Sequence, residues 1–212
     1  MTTIIDNILN KTLGSLMSFS PTKKIDPLSN RLTEYSLLNS YQNIYERNKL
    51  KRPIQSKNEI SYSAKIPFGS SIQTVKAVMT NKPIEALFNT YKLNRQILLF
   101  TEKHKNHQVQ IEMHFNDNKL FFFKFLFPEA NQELRHSLMK GLISKYDLPN
   151  VDLTLHTAYD KNNHCIQVRD LNTFEILFTN LEASFFDKLV KQISKSNNQL
   201  LADYHLTSSK TI

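Results

Sequence analysis

The 212-residue chain carries 27 Lys and Arg against 19 Asp and Glu, a formal net charge of +8 at pH 7, with 40% hydrophobic residues and fourteen Phe. That composition can fill a core, and the length lies near the top of the one-domain range, so one large domain, or one domain with an appendage, is expected. Three Gly and one Cys argue against a glycine-rich phosphate loop and exclude an intrachain disulfide and a cysteine-rich metal site, while no stretch approaches the roughly 20 apolar residues of a membrane span.

The chain opens on Ile4, Ile5, Ile8, Leu9, Leu13, Leu16 and Met17, spaced as an amphipathic helix. Such a helix docks on its own domain, joins two copies into a homodimer, or meets a membrane surface or a partner. The segment lacks a positively charged start, holds Asp6 and Lys11, and offers no lipid-attachable cysteine, so a soluble, cytoplasmic protein is expected. From Phe19 to about Ser63 the chain turns polar, with Pro21, Pro27 and Pro53. Leu37, Leu38, Tyr41, Ile44 and Tyr45 predict a helix from Asp26 or Ser29 onward, and Asn48 to Glu59 reads as a linker or mobile loop. The basic residues Arg47, Lys49, Lys51, Arg52 and Lys57 concentrate here, either as a solvated linker or as a phosphate-attracting patch. The expected division is residues 1–60 as a helical appendage with a basic linker, 61–198 as the main α+β domain, and 199–212 as a polar tail.

In Lys65 to Pro83 (KIPFGSSIQTVKAVMTNKP), Gly69 turns the chain and Ser70 or Ser71 caps a helix whose apolar face is Ile72, Val75, Val78 and Met79. A second short helix is expected over Ile84 to Tyr91. Two antiparallel three-stranded meanders follow. The first has Gln96 to Thr101, apolar throughout, then Val109, Ile111, Met113 and Phe115 alternating with polar residues, then Lys119 to Phe127 with Phe121, Phe123, Phe125 and Phe127 on one side and Leu120, Phe122, Lys124 and Leu126 on the other. Lys103 to His107 is a polar hairpin loop, and Asn116-Asp117-Asn118 is a turn that tolerates left-handed backbone. Between the meanders, Leu134, Leu138, Leu142 and Tyr146, bracketed by Pro128 and Pro149, form a helix with one face on the sheet. The second meander is Val151, Leu153 and Leu155, then Ile166 and Val168, then Phe174, Ile176 and Phe178, each alternating with polar neighbours. Asn180 caps a closing helix with Phe185, Phe186, Leu189, Val190 and Ile193 as its stripe, and the helices are expected on one face of the sheet.

The Gly69-Ser70 start, a valine in the middle of the helix and the closing Lys82-Pro83 resemble the small outer-membrane assembly lipoproteins of the BamE or SmpA type and the related β-lactamase-inhibitor-protein fold, over about residues 65–127. In that family a helix pair precedes a three-stranded sheet. Lys82 stands where the family's glycine precedes the proline, and the lipid-bearing cysteine has no counterpart, so membrane attachment and assembly function are not carried across. What the resemblance implies is a protein-binding sheet. The order of helices and strands also looks like the secretion-chaperone fold, a likeness of topology alone.

Chemistry is sparse. Cys165, inside a strand, reads as a small core side chain. His104-x-x-His107 has chelating spacing, yet a zinc site needs three or four ligands with a second shell, and none lies beside it in sequence beyond Glu102 and Glu112. His114 and His156 fall on the wet faces of their strands. If the meanders share one sheet, Glu112, His114, Asp152, Thr154 and His156 lie on a common polar surface, where a carboxylate orients a histidine as general base for a hydrolase; the plain alternative is an ordinary solvated sheet face. No metal or cofactor is expected. The sequence thus predicts a non-catalytic module that binds a protein through an exposed sheet face or the N-terminal helix, with nucleic-acid binding and a hydrolase as the competing readings.

Overall fold

The computed structural model describes residues 41–46, 52–90, 93–104, 107–189 and 191. Among them eight strands form one sheet: β1 (Arg52–Gln55), β2 (Ile84–Thr90), β3 (Leu93–His104), β4 (His107–Asn116), β5 (Lys119–Phe127), β6 (His156–Tyr159), β7 (His164–Asp170) and β8 (Phe174–Asn180). Their order is β1-β6-β7-β8-β5-β4-β3-β2, antiparallel everywhere except β1 on β6. Four helical segments accompany it: α1 (41–46), α2 (Ile72–Val78), α3 (Gln132–Lys145) and α4 (184–189). The protein is therefore α+β, and the two meanders join edge to edge through β5 and β8 into a single sheet.

Period-two side chains divide the sheet into two faces. On one, Leu98, Phe100, Ile111, Met113, Phe123, Phe125, Ile166, Val168, Phe174, Ile176 and Phe178 pack with Ile72, Val75 and Met79 at α2 and with Leu134, Leu138, Leu142 and Tyr146 at α3. The four-residue recurrence in α3 delivers this stripe, and burial of each such side chain contributes about 1.5–3 kcal/mol relative to exposure. Asn131 caps α3 by accepting from Leu134 N. The helix stops where Asp147 takes φ 47° and Leu148 N donates back to Ile143 O, just before Pro149. On the opposite face, Tyr41 and Ile44 of α1 and Phe185, Phe186 and Leu189 of α4 cover Ile97, Phe121, Phe122 and Leu177. The helices therefore lie on both faces, not one, because β3, β5 and β8 offer apolar side chains on each side.

Three elements differ from the sequence reading. Residues Ile84–Thr90 form a strand paired along their length with β3, in place of the second helix; a seven-residue segment with Leu87 and Phe88 satisfies its backbone more fully on a waiting strand than in two helical turns. Residues 151–155 are a turn, and the second meander begins only at His156. There Thr154 N and Oγ1 both donate to Asp152 Oδ1 (2.8 and 2.7 Å), a local bonding pattern that competes with extended pairing. Within the segment read as a linker, Arg52–Gln55 is the parallel edge strand on β6.

The turn at Asp117 (φ 49°) and Asn118 (φ 61°) is left-handed at both central positions, the form that matches strand twist in a two-residue hairpin. Beside it a bulge interrupts the alternation expected for β5: His114 opposes Phe122 and Phe115 opposes Leu120, leaving Phe121 as the extra residue. Phe121 therefore joins Phe122 on the α1/α4 face, while Leu120 and Phe123 stay on the other. The expected fully apolar row of alternate phenylalanines survives only from Phe123 onward.

Candidate functional site

The polar surface expected to unite Glu112, His114, Asp152, Thr154 and His156 is split. Glu112 and His114 stand on β4 and His156 on β6, with β7, β8 and β5 between them, a lateral separation of about 19 Å at roughly 4.8 Å per strand. Glu112 and His114 face α1, whereas Asp152 and Thr154 border α3 on the other side of the sheet.

His114 is not on a wet face. It is 3% exposed, enclosed by the rings of Tyr41, Phe121 and Phe122. Its Nε2 lies 3.4 Å from Glu112 Oε2, and its Nδ1 is in short contact with the Tyr41 hydroxyl. A carboxylate only accepts, so Nε2 carries the proton, and in the neutral ring that burial favours Nδ1 accepts from Tyr41. Burial likewise pushes the Tyr41 phenol well above its usual value. Burial also opposes ionisation of Glu112, but the His114 hydrogen bond and the Lys124 ammonium outweigh it and hold the carboxyl near about 2. From there charge alternates across the sheet: Lys124 Nζ sits 3.2 Å from Glu112 and 3.7 Å from Glu175, and Arg169 reaches Glu175 at 3.9 Å. The carboxylate and histidine anticipated as an acid–base pair do meet, yet both imidazole nitrogens are engaged and the ring is sealed from solvent. The pair fastens α1 to the sheet.

The second half of the split surface belongs to an open groove of about 710 Å³ lined by Ala130, Gln132, Arg135, His136, Met139, Asp152, Thr154, Asp170 and Phe174. Met139 and Phe174 give it an apolar floor. Arg135 is fixed by donating from Nε to Ala130 O at 2.9 Å and from its guanidinium to Asp170 at 2.5 Å. Asp152 holds Thr154 through its carboxylate and accepts His156 Nδ1–H at its backbone carbonyl, 2.9 Å. Two carboxylates against one guanidinium leave the lining with an excess of negative charge. Exposed large hydrophobic residues among those described are Ile84, Leu155 (65%) and Leu171 (75%), and the last two stand next to the lining residues Thr154 and Asp170. Sequence reading missed Arg135, His136 and Asp170. Arg135 and His136 lie on the outward side of an α3 stripe recognised only for its leucines, and Asp170 lies in a segment read as a turn.

Of the basic cluster, Arg47, Lys49 and Lys51 lie outside the described residues, as does the N-terminal helix. Arg52 is exposed at the edge of the sheet, and Lys57 pairs with Asp147 at 2.9 Å with both side chains largely in solvent. His104, the last residue of β3, and His107, the first of β4, are cross-strand partners, and among the described residues no group of three or more His, Cys, Asp or Glu is placed to hold a metal ion. Cys165 is buried, as its strand position predicts. Asp160, not anticipated, is a structural hub: its carboxylate accepts from Ile60 N, Asn162 N, His164 N and His164 Nδ1, tying the β6–β7 turn to residue 60. No helix among the described residues is long and apolar enough to cross a membrane. Comparison of the chain with protein-family models, with curated proteins and with solved structures returns no match.

Proposed function

We propose that the protein is a non-catalytic interaction module that binds a segment of a partner protein in the groove between α3 and the loops at 152–155 and 170–174. The observation that carries this reading is the placement of Leu155 and Leu171 on the two loops that line the groove. Exposed leucines beside a concave surface with an apolar floor are characteristic of recognition sites. The excess of carboxylate over guanidinium in the lining favours a segment that presents an apolar side chain next to Lys or Arg. The sealed imidazole of His114 supports binding in preference to hydrolysis, because no proton acceptor is left on that ring for a substrate.

Selection from a displayed peptide library tests the reading. Peptides with apolar residues flanked by Lys or Arg should be enriched, should perturb the NMR signals of residues 130–139, 152–155 and 170–174, and should lose binding to the Leu155→Asp/Leu171→Asp variant. Failure to enrich any motif, or enrichment that the double variant retains, excludes the groove. Nucleic-acid binding, suggested by the +8 charge, requires retention of an oligonucleotide at physiological salt, where purely electrostatic contacts weaken steeply.

A further inference from the structure

The sheet ends in two edges of opposite character. At one, β1 is four residues long, begins Arg52-Pro53 with both side chains exposed, and runs parallel to its neighbour. Proline cannot donate to an added strand, and short, charged edges discourage pairing. At the other, β2 spans Ile84–Thr90 (IEALFNT), seven residues without proline and with a single charge, Glu85. One side of β2 is paired with β3 from Ile84 against Leu99 to Thr90 against Leu93, and among the described residues no strand occupies the other side. Every second residue of such a strand turns its backbone N–H and C=O outward, toward a place where another strand fits.

We infer that a second copy of this chain occupies that place, β2 pairing antiparallel with β2 about a two-fold axis through Leu87. The sequence of β2 is self-complementary in that register. Ile84 stands opposite Thr90, Glu85 opposite Asn89, Ala86 opposite Phe88 and Leu87 opposite its own copy, so the one charged position never meets itself. Lys76 at α2 already neutralises Glu85, at 2.7 Å. The two sheets then run on as one across the axis, an isologous contact of the kind that closes dimers. This surface is separate from the groove at α3, so either can fail without the other.

Sedimentation or light scattering of the full chain across a wide range of concentration tests the inference, with Leu87→Lys and Leu87→Glu as probes. The wild type should pass from the mass of one chain to that of two. Each variant alone places two like charges directly opposite at the axis and should weaken dimerisation by about tenfold or more, and mixing the two variants should restore a mixed dimer. A wild type that stays monomeric, variants that dimerise unimpaired, or a mixture that does not recombine would each overturn the inference. Should the variants fail to fold, amide exchange of the wild type decides: protection of residues 84–90 that rises with concentration supports the paired edge, and protection independent of concentration refutes it.

Discussion

On the face covered by α2 and α3, β5 sets Phe123, Phe125 and Phe127 among aliphatic and aromatic side chains, with Phe123 stacked on Phe178 at 4.4 Å. On the face covered by α1 and α4, the same strand carries Phe121 and Phe122 and then Lys124, which is drawn between Glu112 and Glu175. The first face draws its stability from volume and close packing, which act without direction. The second adds to a smaller aromatic cluster a set of hydrogen bonds and charges that are stabilising only in one arrangement. Two layers built on one strand should therefore respond differently to truncation and to pH.

The largest effect is expected from Phe123→Ala. The side chain is fully buried, and its removal should cost about 3–5 kcal/mol, read as a lowered urea midpoint at unchanged m-value. A loss no larger than that of a surface substitution would erase the distinction between the faces. Tyr41→Phe keeps the ring and removes the hydroxyl that donates to His114 Nδ1 and also bonds the buried Arg95, leaving buried polar groups without that partner; about 1–3 kcal/mol is expected by the same measurement. A cycle with His114→Ala should show the two effects to be coupled, and additive losses would mean that the contact contributes nothing.

Acid and alkali should separate the faces further. Glu112 is held near about 2 against 4.5 for the ordinary group, so its contribution is complete above 4.5 and is lost as pH falls toward 2. The stability difference between wild type and Glu112→Gln should shrink over that window. Glu102 behaves in the opposite sense: burial raises its carboxyl from 4.5 to about 7, so ionisation penalises the fold as pH rises through that interval. Glu102→Gln should match the wild type near pH 4 and exceed it at pH 8, and thermal melts at the two pH values measure both effects. The smallest effect is expected at the groove. Leu171→Ser removes a side chain that is 75% exposed and should change stability by no more than about 0.5 kcal/mol, with any loss confined to peptide binding.

How far the sequence could be read depended on whether the determinant of each feature was local. The leucine recurrence of α3, the left-handed turn at Asp117 and Asn118, and the strands at β4, β7 and β8 each follow from periodicity or turn chemistry within a few residues. The segment Ile84–Thr90 did not, because seven residues of mixed propensity take whichever form their neighbour completes, and that neighbour is β3. The bulge at Phe121 was illegible for a related reason: it appears only when β5 is laid against β4. The candidate site fared likewise. Alternation along β4 placed Glu112 and His114 on one polar strand face, but Tyr41, which completes their cluster, lies 73 residues earlier in the chain.

The sequence by itself determined that this is an α+β protein with an apolar sheet, a helix between two groups of strands and a buried lone cysteine, since alternation and recurrence are properties of neighbouring residues. Only the tertiary structure decided that the two groups share one sheet through β5 and β8, that helices close both faces, that His114 is sealed and Asp152 lines a groove, and that β2 is the last strand of the sheet among the described residues. Those outcomes depend on which strand pairs with which, and pairing is chosen by total burial and hydrogen bonding across the whole chain.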